Sequence, residues 1–257
     1  MEDKLVFKGR KIIDIHAHIL PDLDDGPKSL EDSLNLIEIS AESGVTGIIA
    51  TSHGNYYDYT LDKYWEKFKL VKEYIQKYRI PLRIYSGMEI FVNEKSLELL
   101  KEKKLLSLNG GHYILIEFDF NENQDVVFER IKEFQKEGLK VILAHPERYI
   151  FVQENPEILE NLIENDCAMQ INYRSLKGDF GEREYRIAIA MLRSGMVHFI
   201  ASDGHTSSWR DTSFAGMIPL LKKMISPGYI KLLVDTNPRL VLQDEEIFTM
   251  PLKRIEL

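Results

Sequence analysis

Seven short apolar runs, each followed by a polar cluster and a helical stretch, limit the possible folds of this chain more than any other feature. The runs are rich in Ile and Val and occupy residues 11–15, 47–50, 83–86, 113–116, 140–144, 168–171 and 198–201. Nearly continuous apolar runs are typical of parallel strands buried on both faces. They predict an α/β fold, most simply a (β/α) barrel one strand short of eight, with a doubly wound open sheet as the alternative.

Helix signals stand between the apolar runs. Ser29, with Asp32 three residues later, resembles a capping box, and Gly44 is placed to end the helix that follows. Residues 61–78 and 124–137 have helical periodicity, and Asn155 before Pro156 predicts the start of a further helix. No fixed repeat, low-complexity tract or linker divides the sequence, so we expect a single domain over residues 1–257.

Composition excludes several classes of function. The 257 residues are 44% hydrophobic, which supplies a sizeable core, and the formal net charge of -8 argues against a nucleic-acid surface. An anionic substrate stays possible, because metal ions and a few arginines can reverse the sign inside a pocket. Neither a signal-peptide run in residues 1–11 nor an 18-residue apolar stretch is found, so we expect a soluble cytoplasmic protein with no membrane insertion.

Polar clusters with metal-binding side chains follow the predicted strands. The carboxyl ends of parallel strands meet at one face, so side chains distant in sequence are expected to converge there. His16 and His18 are two apart on a strand and therefore point the same way, so both imidazoles can reach one ion. By contrast, His112 and His198 lie at the starts of strands, away from this face, and are interpreted as structural.

Nine residues at these strand ends are candidate metal ligands: His16, His18, Asp25, His53, Glu89, Glu117, His145, Asp203 and His205. Any one of them has a structural explanation, as a buried histidine or as an acid paired with a lysine. Imidazole and carboxylate together suit Mn²⁺, Fe²⁺, Zn²⁺ or Co²⁺. Nine donors exceed the needs of one ion, so the set predicts two or three ions that share bridging carboxylates.

These residues resemble the PHP (polymerase and histidinol phosphatase) superfamily, and within it the CpsB/YwqE type of bacterial tyrosine phosphatase from capsule and exopolysaccharide operons. The matching stretches are residues 14–21, 23–27, 49–53, 87–90, 106–108, 113–118, 144–148 and 201–205, followed by Arg210. The resemblance implies a PHP fold, which is a distorted TIM-like (β/α)7 barrel, with three divalent ions, usually Mn²⁺. It also implies hydrolysis of phosphotyrosine on the tyrosine-rich tail of a bacterial tyrosine kinase that controls polysaccharide export.

The resemblance also divides the nine candidates among three ions: the first is held by His16, His18, Glu89 and Asp203, the second by Glu117 and His145 with Glu89 bridging, and the third by Asp25, His53 and His205.

One position departs from the family pattern. Many members have two histidines after the second strand, whereas this chain has His53 followed by Gly54. The departure affects a substrate contact or a supporting role more than the metal itself.

The chemistry expected of this site is hydrolysis by a metal-bridging hydroxide, without a covalent phosphoenzyme. Arg148 and Arg210 are the candidate phosphate clamps, because a guanidinium binds phosphate oxygens bidentately and stays charged. Tyr56, Tyr57 and Tyr59 are candidates for an aromatic wall around the substrate ring, with loop packing as the alternative.

A cysteine-based phosphatase is excluded. That chemistry needs Cys-x5-Arg around a thiolate, but the only cysteine, Cys167, is followed by Arg174 one residue too late. Cys167 also borders an apolar strand and is interpreted as a core residue.

Two alternative functions stay open at this point. One is a PHP phosphatase of a small phosphate ester such as histidinol phosphate. The other is a non-catalytic, metal-stabilised protein that binds a kinase.

Overall fold

The computed structural model describes residues 11–257. Nine strands lie in this part of the chain: β1 (Ile12–Ala17), β2 (Val45–Ala50), β3 (His53–Gly54), β4 (Arg83–Ser86), β5 (Glu89–Phe91), β6 (Tyr113–Glu117), β7 (Lys140–Ala144), β8 (Ala168–Asn172) and β9 (Phe199–Ala201). Each of the seven predicted strands is present. The two additional strands, β3 and β5, are short continuations of β2 and β4 after a two-residue break.

All pairs of neighbouring strands are parallel, and they form two sheets. The smaller sheet has the order β1-β2-β4, and the larger sheet has the order β3-β5-β6-β7-β8-β9. The backbone of Asp203, just after β9, donates to the carbonyl of His16, and His18 donates to Gly204. These bonds join the two sheets at the carboxyl end of β1. The architecture is α/β with parallel sheets.

Ten α-helices accompany the strands in residues 11–257: α1 (Leu30–Glu42), α2 (Leu61–Lys77), α3 (Ser96–Lys101), α4 (Gln124–Lys136), α5 (Ile150–Glu154), α6 (Ile158–Glu164), α7 (Glu182–Arg193), α8 (Met217–Leu221), α9 (Pro227–Lys231) and α10 (Asn237–Gln243). The predicted cap of α1 is confirmed, because Ser29 Oγ accepts a hydrogen bond from the Asp32 backbone. Gly44, predicted to end α1, follows its last residues with a φ of 94°.

The predicted helix start at Asn155 and Pro156 is wrong. Asn155 instead ends α5, and α6 begins only at Ile158. The backbone N–H groups of Ile158 and Leu159 bond to carbonyls three residues earlier, so the chain makes a tight turn before regular helix begins.

Two apolar clusters fill the two faces of the sheets. The larger cluster packs side chains such as Ile12, Ile114 and Met169 against the helices, and it includes the buried Cys167 that the sequence placed in the core. The smaller cluster takes the alternate side chains, including Ile13, Leu115 and Ile142. Strands buried on both faces explain why the apolar runs are nearly continuous.

Within residues 11–257 no helix is both long and apolar enough to cross a bilayer. The expectation that residues 1–11 lack a signal peptide falls almost entirely outside the described residues.

Candidate metal centre

The structure brings all nine predicted ligand residues together at the carboxyl ends of the strands. Three groups place their donor atoms within 4.8 Å of one another: His16, His18, Glu89 and Asp203; His18, Asp25, His53 and His205; and His53, Glu89 and Glu117. His145 joins through its Nε2 atom, which lies 3.0 Å from Glu89 Oε1 and 3.5 Å from Glu117 Oε1. His112 and His198 lie outside these groups.

A register shift in β1 aims its two histidines into the site. Between Asp14 and Ala17, β1 has one residue more than the part of β2 with which it pairs. Ile15 packs in the smaller apolar cluster but Ala17 packs in the larger one, so the side-chain alternation reverses between them. His16 therefore points to the same face of the sheet as Ile15, as a β-bulge allows.

Two further candidate ligands occupy the left-handed backbone region. His145 follows β7 with a φ of 33°, and Asp203 follows β9 with a φ of 50°. This conformation is uncommon for residues with a side chain, and it clusters at functional sites where surrounding structure holds it in place. At both positions it changes the direction of a side chain just past a strand end.

The first group concentrates electron-pair donors around one point. The Nε2 atoms of His16 and His18 lie 3.3 Å apart, and each is 3.1 Å from Glu89 Oε2. Asp203 Oδ1 lies 3.4 Å from His16 Nε2 and 3.7 Å from His18 Nε2. A proton on one imidazole can satisfy only one of these contacts, whereas a divalent ion among the four atoms satisfies all of them.

The second group opens toward solvent. Asp25 Oδ1 lies 3.5 Å from His53 Nε2 and 3.3 Å from His205 Nε2, and its side chain is 43% exposed. The rings of His18 and His205 stack with their centroids 3.8 Å apart. The loop after β1 thus completes a second cluster beside the first one.

Glu89 connects these clusters to the third. Its Oε2 atom faces His16 and His18, while its Oε1 atom faces His145. His53 Nδ1 lies 3.2 Å from Glu89 Oε2 and 3.6 Å from Glu117 Oε2. One carboxylate that faces several imidazoles in this way is suited to bridge two ions. The third group contains the expected Glu117 but also His53, and the expected His145 reaches it through its contacts with Glu89 and Glu117.

The electrostatics of the site fit bound cations. Burial and the neighbouring Glu89 raise the pKa of Glu117 to about 9, because another negative charge is unfavourable there. Burial also disfavours the charged form of His18, yet Asp24 and Glu89 raise its pKa well above the ordinary value. Within residues 11–257 the buried His53 Nδ1 and His205 Nε2 atoms have no hydrogen-bond partner, although both face carboxylates. Buried imidazole nitrogens that lack hydrogen-bond partners and face several carboxylates are what a set of metal ligands requires.

Sequence reasoning missed the residues that orient the ligands. Asp24 is buried, and its Oδ2 atom accepts hydrogen bonds from His18 Nδ1 and the His53 backbone, both at 2.8 Å. Burial opposes its ionisation, but His18 lowers its pKa to about 2. The ionised Asp24 therefore accepts a hydrogen bond from the Nδ1–H group of His18, which leaves Nε2 free to ligate. The signal was the adjacent pair Asp24 and Asp25, of which only Asp25 was selected.

Both predicted phosphate clamps reach the metal groups. Arg210 Nη2 lies 2.8 Å from Asp203 Oδ2, and Arg148 Nη1 lies 3.6 Å from the same atom. The loop that carries Arg210 turns back on itself, because the Arg210 carbonyl accepts a hydrogen bond of 2.6 Å from the backbone N–H of His205. Arg148 packs against two aromatic rings, with its guanidinium carbon 4.2 Å from the centre of Phe120 and 5.2 Å from that of Phe180.

A cavity of about 380 Å³ opens above the metal groups and contains both arginines. Tyr56, Tyr57 and Phe91 line one side of it, with the Tyr56 and Phe91 rings 4.7 Å apart. Tyr59 does not line the cavity, because its hydroxyl donates to the His53 carbonyl and holds the loop. The aromatic wall thus contains two of the three predicted tyrosines.

The space around Gly54 is closed. An added Cβ atom would lie 2.9 Å from Leu105 Cδ2 and 3.0 Å from Met88 Sδ. A second histidine at this position would therefore require both side chains to move. The neighbouring side chains therefore leave room for glycine at position 54 but not for a larger residue.

Comparison with known proteins gives concordant matches. The family model "Capsular polysaccharide synthesis, CpsB/CapC" matches residues 12–243. The tyrosine-protein phosphatase YwqE of Bacillus subtilis is 33% identical over 242 residues, which cover 93% of this chain and 95% of the relative. The tyrosine-protein phosphatase CpsB of Streptococcus pneumoniae is 32% identical over 243 residues, covering 92% of this chain and all of the relative.

Solved structures agree with these matches. A crystal structure from a study of YwqE from Bacillus subtilis and CpsB from Streptococcus pneumoniae, described as unique metal-dependent tyrosine phosphatases, aligns with a TM-score of 0.88. The alignment has 32% identity and covers 96% of this chain and 100% of that chain. A histidinol phosphate phosphatase from Lactococcus lactis aligns with a TM-score of 0.51 at 14% identity, over 96% of this chain and 100% of that one. The second likeness is one of fold alone.

Proposed function

The chain belongs to the CpsB/CapC family of capsular polysaccharide synthesis proteins, and on that premise we propose that it is a metal-dependent protein-tyrosine phosphatase. Its substrate in this proposal is phosphotyrosine on a bacterial tyrosine kinase tail that regulates capsular or exopolysaccharide synthesis. The observation that carries the proposal is the meeting of histidine–carboxylate groups and two arginines in one cavity. The similarity to YwqE and CpsB selects tyrosine phosphate among phosphate esters.

The proposed metal centre holds three divalent ions, most readily Mn²⁺. In this proposal one ion would be held by His16, His18, Glu89 and Asp203, another by Glu117 and His145 with Glu89 shared, and another by Asp25, His53 and His205. When bound, the ions supply an activated water near neutral pH and neutralise the phosphoryl oxygens, which provides much of the roughly 20 kcal/mol that phosphate ester hydrolysis needs. The mixed imidazole and carboxylate donors can also bind Fe, Zn or Co.

The chain's own residues bind and orient the substrate. Arg148 and Arg210 lie on the same side of Asp203, so both guanidinium groups can hold oxygens of one phosphate. Tyr56, Tyr57 and Phe91 offer apolar faces for the tyrosyl ring. A phenolate leaving group has a pKa of about 10 and needs less protonation than an alkoxide, so a dedicated general acid is not required.

The architecture proposed for residues 1–257 is a single PHP domain, a distorted TIM-like (β/α)7 barrel. Treating β3 and β5 as continuations of β2 and β4 reduces the nine strands to seven units. The hydrogen bonds between the end of β1 and the residues after β9 support closure. The proposed location is the cytoplasm, where a kinase tail would be reached.

The substrate assay tests this proposal directly. Purified protein in Mn²⁺ is given a phosphotyrosyl peptide, the same peptide with phosphoserine, and histidinol phosphate. We expect rapid hydrolysis of the phosphotyrosyl peptide and little of the other two. Turnover of histidinol phosphate alone would make the chain a small-ester phosphatase. Absence of turnover on every substrate would support a non-catalytic kinase-binding protein.

A further inference from the structure

We infer that Gln170 and Asn172 form a directional hydrogen-bond relay that orients two metal ligands, His16 and Asp203, for one cation. This inference rests on the proposed metal centre and names positioning residues for it. Both amides are fully buried on β8, two residues apart and therefore on the same face of the strand. Their side chains link His16 on β1 to Asp203 in the turn after β9.

Three short contacts form the relay. His16 Nδ1 lies 2.8 Å from Gln170 Oε1, and Gln170 Nε2 lies 2.8 Å from Asn172 Oδ1. Asn172 Nδ2 lies 2.7 Å from Asp203 Oδ2. The chain of contacts is continuous from imidazole to carboxylate, and each amide uses its donor once and its acceptor once within it.

The direction of the relay follows from its carboxylate end. Asp203 Oδ2 lies 2.8 Å from the Arg210 guanidinium, which can only donate, so this oxygen is an acceptor. Asn172 must therefore turn its NH₂ group to Asp203 and its oxygen to Gln170. Gln170 must in turn donate to Asn172 and present its oxygen to His16.

The same reasoning fixes the proton on His16. Facing an amide oxygen, Nδ1 must carry the hydrogen, and in the neutral ring Nε2 then bears the lone pair. Nε2 is the atom that points at Glu89 and His18. At the other end, Asp203 Oδ2 is occupied by Asn172 and Arg210, which leaves Oδ1 to face the cluster. The relay thus leaves one electron-pair donor atom free to bind a cation on each ligand, Nε2 on His16 and Oδ1 on Asp203.

Strand β8 supplies none of the nine predicted ligands, yet it carries both amides. A purely structural role would require only that each buried amide be hydrogen-bonded. In a relay, by contrast, removal of either amide interrupts the whole chain of hydrogen bonds. Removal of the second amide then causes no further loss of metal affinity. Coupling between Gln170 and Asn172 therefore distinguishes the two roles.

A double-mutant cycle on Mn²⁺ affinity tests the relay. The dissociation constant of the tightest Mn²⁺ site is measured by calorimetry for the wild type, Gln170→Leu, Asn172→Leu and the double variant. Oriented partners of metal ligands are worth about 10–100-fold in affinity, so each single variant is expected to bind that much more weakly. The double variant is expected to match the weaker single variant instead of multiplying the two losses.

Two further variants control for stability and charge. Asn237→Leu removes a buried amide with three hydrogen bonds remote from the site and should leave Mn²⁺ affinity unchanged. Asn172→Asp preserves shape and adds a negative charge, which by attraction alone would tighten cation binding. The relay predicts weaker binding, because two carboxylates would then face each other. Thermal unfolding without metal checks that each variant is folded.

Wild-type affinity within about twofold in the single variants, or losses that multiply, would overturn the relay while leaving the metal centre intact. Tighter binding by Asn172→Asp would overturn it as well. Failure of the wild type to bind Mn²⁺ would instead remove the proposed metal centre, and the relay with it.

Discussion

Arg148 shows how single residues in this chain combine charge with fixed geometry. Its guanidinium plane is held by the Phe120 and Phe180 rings and is directed at the cavity above Asp203. An ammonium group carries the same charge but has no plane to stack and no bidentate fork. The aromatic neighbours therefore make arginine, and not merely a positive charge, the requirement at this position.

Replacing Arg148 should chiefly weaken phosphate binding. A hydrogen bond to a charged group is worth roughly 1.5–3 kcal/mol, so Arg148→Ala should raise KM for a phosphotyrosyl peptide roughly 10–100-fold, with a smaller change in kcat. Arg148→Lys should recover only part of that loss. Steady-state kinetics measure both, and Arg130→Ala, which removes a half-buried pair with Glu133 on α4, is the matched control. Unchanged kinetics in Arg148→Ala would remove this residue from the site.

His198 makes stability depend on pH away from the metal centre. Burial lowers its pKa to about 4, whereas an unfolded histidine titrates near 6.5. Between these values the unfolded chain binds a proton that the folded chain does not. The stability that His198 contributes is therefore complete above pH 6.5 and is lost as the pH falls toward 4.

The contribution of His198 can be isolated by difference. The free energy of unfolding is measured in urea at pH 7 and pH 4.5 for the wild type and for His198→Gln, which cannot titrate. Relative to the variant, the wild type should lose about 2–3 kcal/mol between the two pH values. Other titrating groups cancel in the comparison. Parallel pH profiles for the two proteins would show that His198 has an ordinary pKa.

At the scale of elements, strand ends and tight turns determine where the side chains of the site lie. Gly204 lies between the candidate ligands Asp203 and His205, and its carbonyl accepts the backbone N–H of His18. A Cβ atom at this glycine would meet Thr212 Cγ2 at 2.4 Å and the Asp211 and Thr212 backbone at 3.1 Å. Part of the obstruction is main chain, which cannot rotate away.

Gly204→Ala should therefore destabilise the turn after β9. Overpacking of this kind costs typically 1–3 kcal/mol, and we expect a matching fall in the free energy of unfolding together with weaker Mn²⁺ binding. Gly228→Ala is the control, because its Cβ atom would meet only Ser226 Oγ, at 4.0 Å, and its φ is not positive. Equal stability of the two variants by urea denaturation would show that the turn tolerates a side chain.

The sequence could predict most elements but not their irregularities. Apolar runs located all seven main strands, because burial on both faces demands continuous apolar residues. The bulge in β1 and the left-handed conformations of His145 and Asp203 could not be predicted, since they depend on pairing with strands distant in the chain. The same limit hid Gln170 and Asn172, whose role appears only when folding brings one face of β8 next to His16 and Asp203.

At the scale of the whole molecule, the metal groups join the two sheets. His16 lies in the smaller sheet and His18 directly follows its strand β1, whereas His53 and Glu89 lie in the larger sheet. Buried carboxylates and imidazoles from both sheets face one another at 3–4 Å, so bound cations replace repulsion with attraction across this junction. Metal binding and tertiary stability are therefore expected to be coupled.

Chelation should lower the melting temperature. At a Mn²⁺ concentration one hundred times Kd, one site stabilises the fold by about 2.7 kcal/mol. A domain of this size gains roughly 2–4 °C per kcal/mol, so removal of metal should lower Tm by roughly 5–10 °C or more. Differential scanning fluorimetry with and without chelator measures the shift, and added Mn²⁺ should reverse it. A Tm independent of chelator would separate stability from metal binding.

A Mn²⁺ titration of metal-depleted protein tests the central claim most directly, with bound ions counted and phosphotyrosyl-peptide hydrolysis followed together. We expect no turnover at the start, full activity as about three ions bind per chain, and neither full binding nor turnover in Asp203→Ala. Full activity in metal-depleted protein, or activity in Asp203→Ala close to that of the wild type, would contradict a histidine–carboxylate metal centre as the site of hydrolysis.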